Sequence, residues 1–181
     1  MIQDNTIGGY YSVMACNTST IYCLNKDLQV TKPIEALFIK KVIHKKYHHY
    51  DFVTKEVFWL QKLSSFDRTP NVLSFDGDSI VMDYMGKVIT KDTVPPDWRE
   101  QIEYIIKTLE LLGVSHNDIQ IGEILVKDNK INLIDFQHAT TTREEFRELR
   151  KQGKVTVQPY IKDDRTSLYS EIKKILKGGR K

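Results

Sequence analysis

The stretch VSHNDIQIGEILVKDNKINLIDFQHA, residues 114–139, sets carboxylates at the mouths of two short apolar runs. His116 and Asp118 stand two apart, Glu123 opens the run Ile124-Leu125-Val126, and Asp135 closes the run Ile131-Asn132-Leu133-Ile134. A carboxylate so placed can take or orient the proton of a hydroxyl, and it offers the hard oxygen that a divalent cation prefers. If the two runs pair as a hairpin, Glu123 faces the end of the second strand. Two carboxylates there repel each other unless a cation sits between them. As turn or capping residues outside such a hairpin, Asp118 and Asp135 would be ordinary. The chemistry therefore rests on the elements around them.

The pattern supplies those elements in two halves. Residues 10–15 and 20–24 are short runs rich in β-branched and aromatic types around the polar break Asn17-Thr18-Ser19, and EALFIKKVI (35–43) is a third strand. Asp51 offers a cap to a helix over 52–63, where Phe52, Val53, Val57, Leu60 and Leu63 recur at helical spacing. Strands over 72–75 and 79–84 flank the turn Asp76-Gly77-Asp78. Residues 1–85 thus read as a five-stranded antiparallel sheet with one inserted helix. Pro95 and Pro96 precede an amphipathic helix over 98–112, which Gly113 ends. The opening stretch then reads as strand 124–126, turn 127–130 and strand 131–134. Helices over 142–151 and 164–176 complete residues 86–181, and Met85-Gly86 marks the boundary between the halves.

Composition narrows the class. With 181 residues, 40% hydrophobic and 28% charged, the chain can bury a core. A net charge of +3 is too mild to argue for nucleic acid. No apolar run is long enough to span a membrane, and the first residues lack a basic segment followed by an apolar one. Cys16 and Cys23, without such a leader, read as reduced thiols of a cytoplasmic protein. KKVIHKKYHHY (residues 40–50) mixes basic and aromatic residues as single-strand binders do, but it reads better as a solvated strand end and loop, so nucleic acid is not the expected partner.

The order of elements resembles the protein-kinase-like fold, a two-lobed α+β architecture, and six short pieces carry the resemblance. FIKKV resembles the third-strand lysine motif, which implies that Lys40 holds nucleotide phosphates; a shift of one residue would give that place to Lys41. TKEVFWLQKL resembles helix C, with Glu56 as the partner of the lysine. IVMDYMG resembles the hinge, with Met82 as gatekeeper and the backbone of Asp83 to Met85 facing adenine. HNDIQIGEILV resembles the catalytic loop, with Asp118 as base. LIDFQHA resembles the metal-binding strand end, with Asp135 as ligand. DRTSLYSEIKKIL resembles helix F, with Asp164 bracing the catalytic loop. The glycine loop corresponds to IGGYYSVM, which implies phosphate contacts from Gly8, Gly9 and Ser12. The resemblance implies ATP and Mg²⁺, with Mn²⁺ as an alternative, and a protein or small-molecule hydroxyl as acceptor.

Departures from that pattern are equally specific. Glu123 stands where such kinases carry asparagine, the second metal ligand, and adds a negative charge beside a triphosphate. Gln120 replaces a lysine or histidine, Gln137 replaces the glycine after Asp-Phe, and Phe38 replaces the alanine of the lysine motif. The late peptide-docking helices are missing, and the second lobe ends at helix F. IDFQHA followed by a charged segment is similar to the metal loop of Rio-type atypical kinases, and its ending also resembles lipopolysaccharide core kinases. The expectation is a minimal atypical kinase, with a pseudokinase scaffold as the alternative. The Lys-, Ile-, Asn- and Tyr-rich composition would suit a viral gene acting in the host cytoplasm.

Overall fold

The computed structural model describes residues 6–7, 10–15, 19–23, 37–42, 52–75, 79–154 and 161–178, with those up to residue 42 described as backbone. The chain divides into two compact units, Met1–Lys87 and Val88–Lys181.

The first unit is an antiparallel sheet with one helix. Its strands are β1 (Thr6–Ile7), β2 (Tyr10–Ala15), β3 (Ser19–Cys23), β4 (Leu37–Val42), β5 (Val72–Phe75) and β6 (Ser79–Asp83), in the spatial order β1-β2-β3-β4-β6-β5. The sheet has six strands where five were expected, because the two-residue β1 pairs with β2 through Thr6 opposite Tyr11 and Ile7 opposite Tyr10. Lys40 stands opposite Ile80, and Lys41 opposite Ser79. Helix α1 (Phe52–Lys62) packs on β5 and β6. Val53, Glu56, Val57 and Leu60 share its buried face, as the i, i+3, i+4, i+7 spacing dictates. Ile80 and Met82 of β6 are buried as well.

The second unit follows a two-residue strand, β7 (Lys87–Val88), at the junction. Helix α2 (Trp98–Leu111) buries Trp98, Gln101, Ile102, Ile105, Ile106 and Leu109 on one face. Gly113 ends it with φ +67°, a conformation open mainly to glycine. A Cβ at Gly113 would also come within 3.2 Å of the Glu145 side chain. Strands β8 (Val114–Ser115), β9 (Ile124–Lys127), β10 (Lys130–Leu133) and β11 (Thr140–Thr141) follow. Strands β9 and β10 form the expected hairpin, with Lys130 opposite Lys127 and Leu133 opposite Ile124. Its two-residue turn is Asp128-Asn129, both at positive φ (51° and 59°), the conformation that matches the strand twist. Strand β8 pairs with β11, Ser115 opposite Thr140, and this brings residues 116–118 beside the segment that follows Asp135. Helix α3 (Arg143–Lys151) starts at Thr142, whose hydroxyl accepts from the Glu145 amide at 3.1 Å. Helix α4 (Asp164–Leu176) packs Leu168, Ile172 and Ile175 toward α2. The core between helices and hairpin is Ile102, Ile105, Leu109, Ile124, Leu125, Ile131, Leu133 and Phe136.

One polar side chain fixes the hairpin to α2. Gln101 is buried; its Oε1 accepts from the Ile131 amide at 2.8 Å, and its Nε2 donates to Asn129 O at 2.8 Å and Asp97 Oδ1 at 2.9 Å. Removing both functions at once leaves a buried amide without an acceptor. Gln101→Leu should therefore destabilise the protein by about 2–3 kcal/mol in urea unfolding, despite the added apolar volume. A loss below about 0.5 kcal/mol, the size of an ordinary surface change, would show that the hairpin is held in other ways.

Candidate active site

The loop between β8 and β9 carries His116, Asn117 and Asp118, and its path is set from below by α4. Asp163 caps that helix, accepting from the Thr166 amide at 3.0 Å and the Thr166 hydroxyl at 2.8 Å. Asp164, the next residue, receives the amides of His116 at 2.6 Å and Asn117 at 2.8 Å on its two carboxylate oxygens. Burial pushes its carboxyl above the usual range, against the opposing pull of His116 and the two amides.

His116 is fully buried against Phe136, with ring centroids 4.5 Å apart. Its Nδ1 lies 3.3 Å from the Asp118 amide, and its Nε2 lies 2.9 Å from Ile134 O, to which it donates. Its role is to tie the loop that carries Asp118 to the exit of β10, holding backbone as its type more often does.

Asn117 adopts φ +70°, tolerated best by asparagine among residues with a side chain. Its Nδ2 donates to His138 O at 3.2 Å and Thr140 Oγ1 at 2.7 Å, and its Oδ1 accepts from the Lys162 amide at 2.9 Å. Asp118 is thereby held at the wall of a cavity of about 360 Å³, lined by Asn117, Asp118, His138, Thr140 and Lys162. The Lys162 ammonium lies 3.2 Å from Asp118 Oδ1.

Glu123 stands at the entrance of β9, and its carbonyl accepts from the Ile134 amide at 3.1 Å, opposite the end of β10. Its Oε2 also accepts from the Gln120 amide at 2.7 Å. Burial raises its pKa to about 7, Asp135 adds to the rise and Asp118 contributes a smaller increment, while the amides of Gln120 and Glu123 pull the other way. Glu123 thus lies within electrostatic reach of both Asp135 and Asp118. Among the described residues no group of three or more His, Cys, Asp or Glu is arranged as a metal site. Asp135 has φ +67° and leads into a short 3-10 turn, Phe136–His138. The positive φ falls on the aspartate itself, so the chain has no need of glycine at Gln137. Gln137 is buried, with Nε2 3.3 Å from His138 Nε2 and its Oε1 without a hydrogen-bond partner among the described residues.

In the first unit, Glu56 is 1% exposed, a buried carboxyl on α1. Lys40 is a backbone position in β4 and Ser12 one in β2, while Gly8 and Gly9 lie outside the described residues. Met82 is fully buried, Met85 is buried and Asp83 half-buried. The Asp83 amide donates to Asn71 O at 3.1 Å, and its carboxylate accepts from Asn71 Nδ2 at 2.8 Å. That amide is therefore spent on Asn71 and not turned to a ligand.

The model of the RIO domain matches residues 24–151 of this sequence. The chain belongs to the RIO domain family. A curated relative is the probable bifunctional tRNA threonylcarbamoyladenosine biosynthesis protein of Methanospirillum hungatei JF-1, 30% identical over 77 residues, which are 42% of this chain and 15% of that protein. The match thus spans under a sixth of the relative's length. Kinase-like architecture and Rio-type resemblance are both borne out for this RIO-domain chain; a viral origin is not, since neither the family nor this relative supports it. Among the described residues no helix is long and apolar enough to cross a membrane.

Sequence reasoning missed Lys162 and the connecting role of Asn117. Nothing in composition or spacing marks Lys162. Asn117 carried one signal, as a residue type that accepts positive φ.

The raised pKa of Glu123 gives a stability test. Folding makes its proton harder to lose, so its ionised form disfavours the folded state. This contribution favours folding fully below the ordinary carboxyl value of 4.5 and is lost as pH rises through about 7. Between pH 5 and pH 8 the wild type should lose on the order of 1 kcal/mol relative to Glu123→Gln, after allowance for solvent screening. Thermal melts of both proteins at the two pH values check this, and parallel losses would place Glu123 in ordinary solvent.

Proposed function

We propose that this RIO-domain protein is an ATP-dependent phosphotransferase that acts on a hydroxyl group. The observation that carries the reading is the tie between the catalytic-type loop and the mouth of the β9–β10 hairpin: the Ile134 amide, next to Asp135, bonds Glu123 O, Ile134 O bonds His116, and His116 holds the amide of Asp118, which stands at the wall of an open cavity. Asp118 is the residue that orients the acceptor hydroxyl and receives its proton. Asp135 and Glu123 would hold Mg²⁺ or Mn²⁺; two partly desolvated carboxylates, one kept from ionising freely by burial and then by its neighbour, suit a hard divalent cation. When bound, such a cation neutralises charge on the phosphates.

Lys40 would hold the nucleotide phosphates with Glu56 as its partner. Its register opposite buried Ile80, rather than opposite Ser79 as for Lys41, supports this choice. Gly8, Gly9 and Ser12 would add backbone donors. Adenine would meet Met82 and the backbone of Asp83 and Met85, with Asp83 contributing its carbonyl side. The name of the Methanospirillum relative makes proteins of tRNA modification the first acceptors to assay.

A non-catalytic scaffold is the second reading, favoured by the bond that ties the Glu123 carboxylate to Gln120. The two readings separate in calorimetry and phosphate-transfer assays. A transferase requires that Asp118→Asn and Asp135→Asn each lower transfer from ATP by two or more orders of magnitude. Asp135→Asn should also weaken Mg²⁺-dependent ATP binding, whereas Asp118→Asn should leave it within about twofold. Tighter ATP binding by Glu123→Asn, with no transfer by the wild type, would favour the scaffold.

A further inference from the structure

We propose that Lys162 supplies the positive charge at the acceptor end of this site, an inference that rests on the phosphotransfer reading above. The second unit sets Asp118 at the cavity wall, with Glu123 and Asp135 at the mouth of the neighbouring hairpin. A negatively charged group cannot approach them without compensating cations. On the acceptor side, the catalytic loop itself offers the neutral, exposed Gln120. The cation that reaches Asp118 comes from far along the chain: Lys162 Nζ lies 3.2 Å from Asp118 Oδ1, and both residues line the 360 Å³ cavity.

The placement of Lys162 is built in. Its amide is held by Asn117 Oδ1 at 2.9 Å, and the next two residues are the cap of α4 and the aspartate that grips the loop. The ammonium is 44% exposed and the Asp118 carboxylate 31% exposed, so their pairing adds little to folding. A lysine stem is long enough to pass its charge from Asp118 to a phosphoryl oxygen without moving the backbone.

In the step this serves, the acceptor oxygen forms a bond to the γ-phosphorus of ATP. The bond from that phosphorus to the β–γ bridging oxygen breaks, and ADP leaves with the electron pair. The hydroxyl proton passes to Asp118 and then to solvent. Lys162 holds the Asp118 carboxylate before the acceptor binds and neutralises the transferring phosphoryl oxygens as charge builds. It is a catalytic residue by contact with the reacting group.

The test uses the full chain, with water as the acceptor in ATP hydrolysis and autophosphorylation as a second readout. Lys162→Ala should lower kcat about 10–100-fold and leave both KM for ATP and the melting temperature close to wild type, because the backbone bond to Asn117 persists. Lys162→Arg should retain most of the rate, and Gln120→Lys in the Lys162→Ala background should restore part of it. Lys173→Ala, on the outer face of α4, controls for the loss of one positive charge. If Lys162→Ala melts early, Lys162→Met keeps the stem and should show the same kcat loss at wild-type stability. Unchanged kcat in Lys162→Ala or Lys162→Met, or an equal loss in Lys173→Ala, overturns this inference and leaves the phosphotransfer reading standing. Absence of any transfer by the wild type overturns both.

Discussion

Everything at the candidate site hangs from one half-buried carboxylate. Asp164 accepts the amides of His116 and Asn117 at 2.6 and 2.8 Å from the first turn of α4. A carboxylate taken partly out of water is costly unless charge-assisted bonds satisfy it, and a helix N-terminus is favourable ground for a negative group. With those two amides fixed, Asn117 can hold φ +70°, His116 lies against Phe136, and the Asp118 amide meets the His116 ring. The loop is thus gripped by α4 on one side and by the exit of β10, through Ile134 O, on the other. Neither the helix nor the hairpin touches an acceptor in this scheme, yet both decide where Asp118 stands.

The site also concentrates the local costs of the fold. Asn117 and Asp135 take positive φ without being glycine, Glu123 resists ionisation beside Asp135, and Gln137 buries an oxygen without a hydrogen-bond partner among the described residues. Each of these is unfavourable by itself, and elsewhere in the second unit the other positive-φ residues are glycines or turn residues. Such local conflicts gather where a structure is built to meet something other than itself. Glu123 is the clearest case, because burial and the nearby Asp135 both oppose its ionisation.

Much of this was legible in the sequence, for reasons that differ by element. Helical spacing gave α2 and α4 almost to the residue, since Trp98, Ile102, Ile105 and Leu109 repeat with the helix period, and Leu168, Ile172 and Ile175 do likewise. The turn Lys127-Asp128-Asn129-Lys130 announced the hairpin through residue types that accept positive φ. Asp164 was readable through resemblance alone, since an aspartate opening a helix otherwise says only that a helix begins. The sixth strand escaped because two residues, Thr6 and Ile7, carry no period. Lys162 escaped for a deeper reason: its partner is Asp118, and no local rule links residues so far apart in an irregular segment. The second bond of Glu123 to Gln120 was hidden likewise, because a glutamate three residues after a polar one is common on any surface.

The Gln101 side chain has a further meaning for how the molecule behaves among its own copies. The Ile131 amide and the Asn129 carbonyl point away from β9, along the open side of β10, where a strand from another chain could pair. An amide side chain presents an N–H donor beside a carbonyl acceptor, much as a strand backbone does, and its second N–H remains for another partner, here Asp97. By engaging both groups, Gln101 acts as a single residue of a missing neighbouring strand. Helix α2 closes the sheet edge with this one residue, and a hairpin that must lie open near Asp118 is kept from recruiting foreign strands at its back.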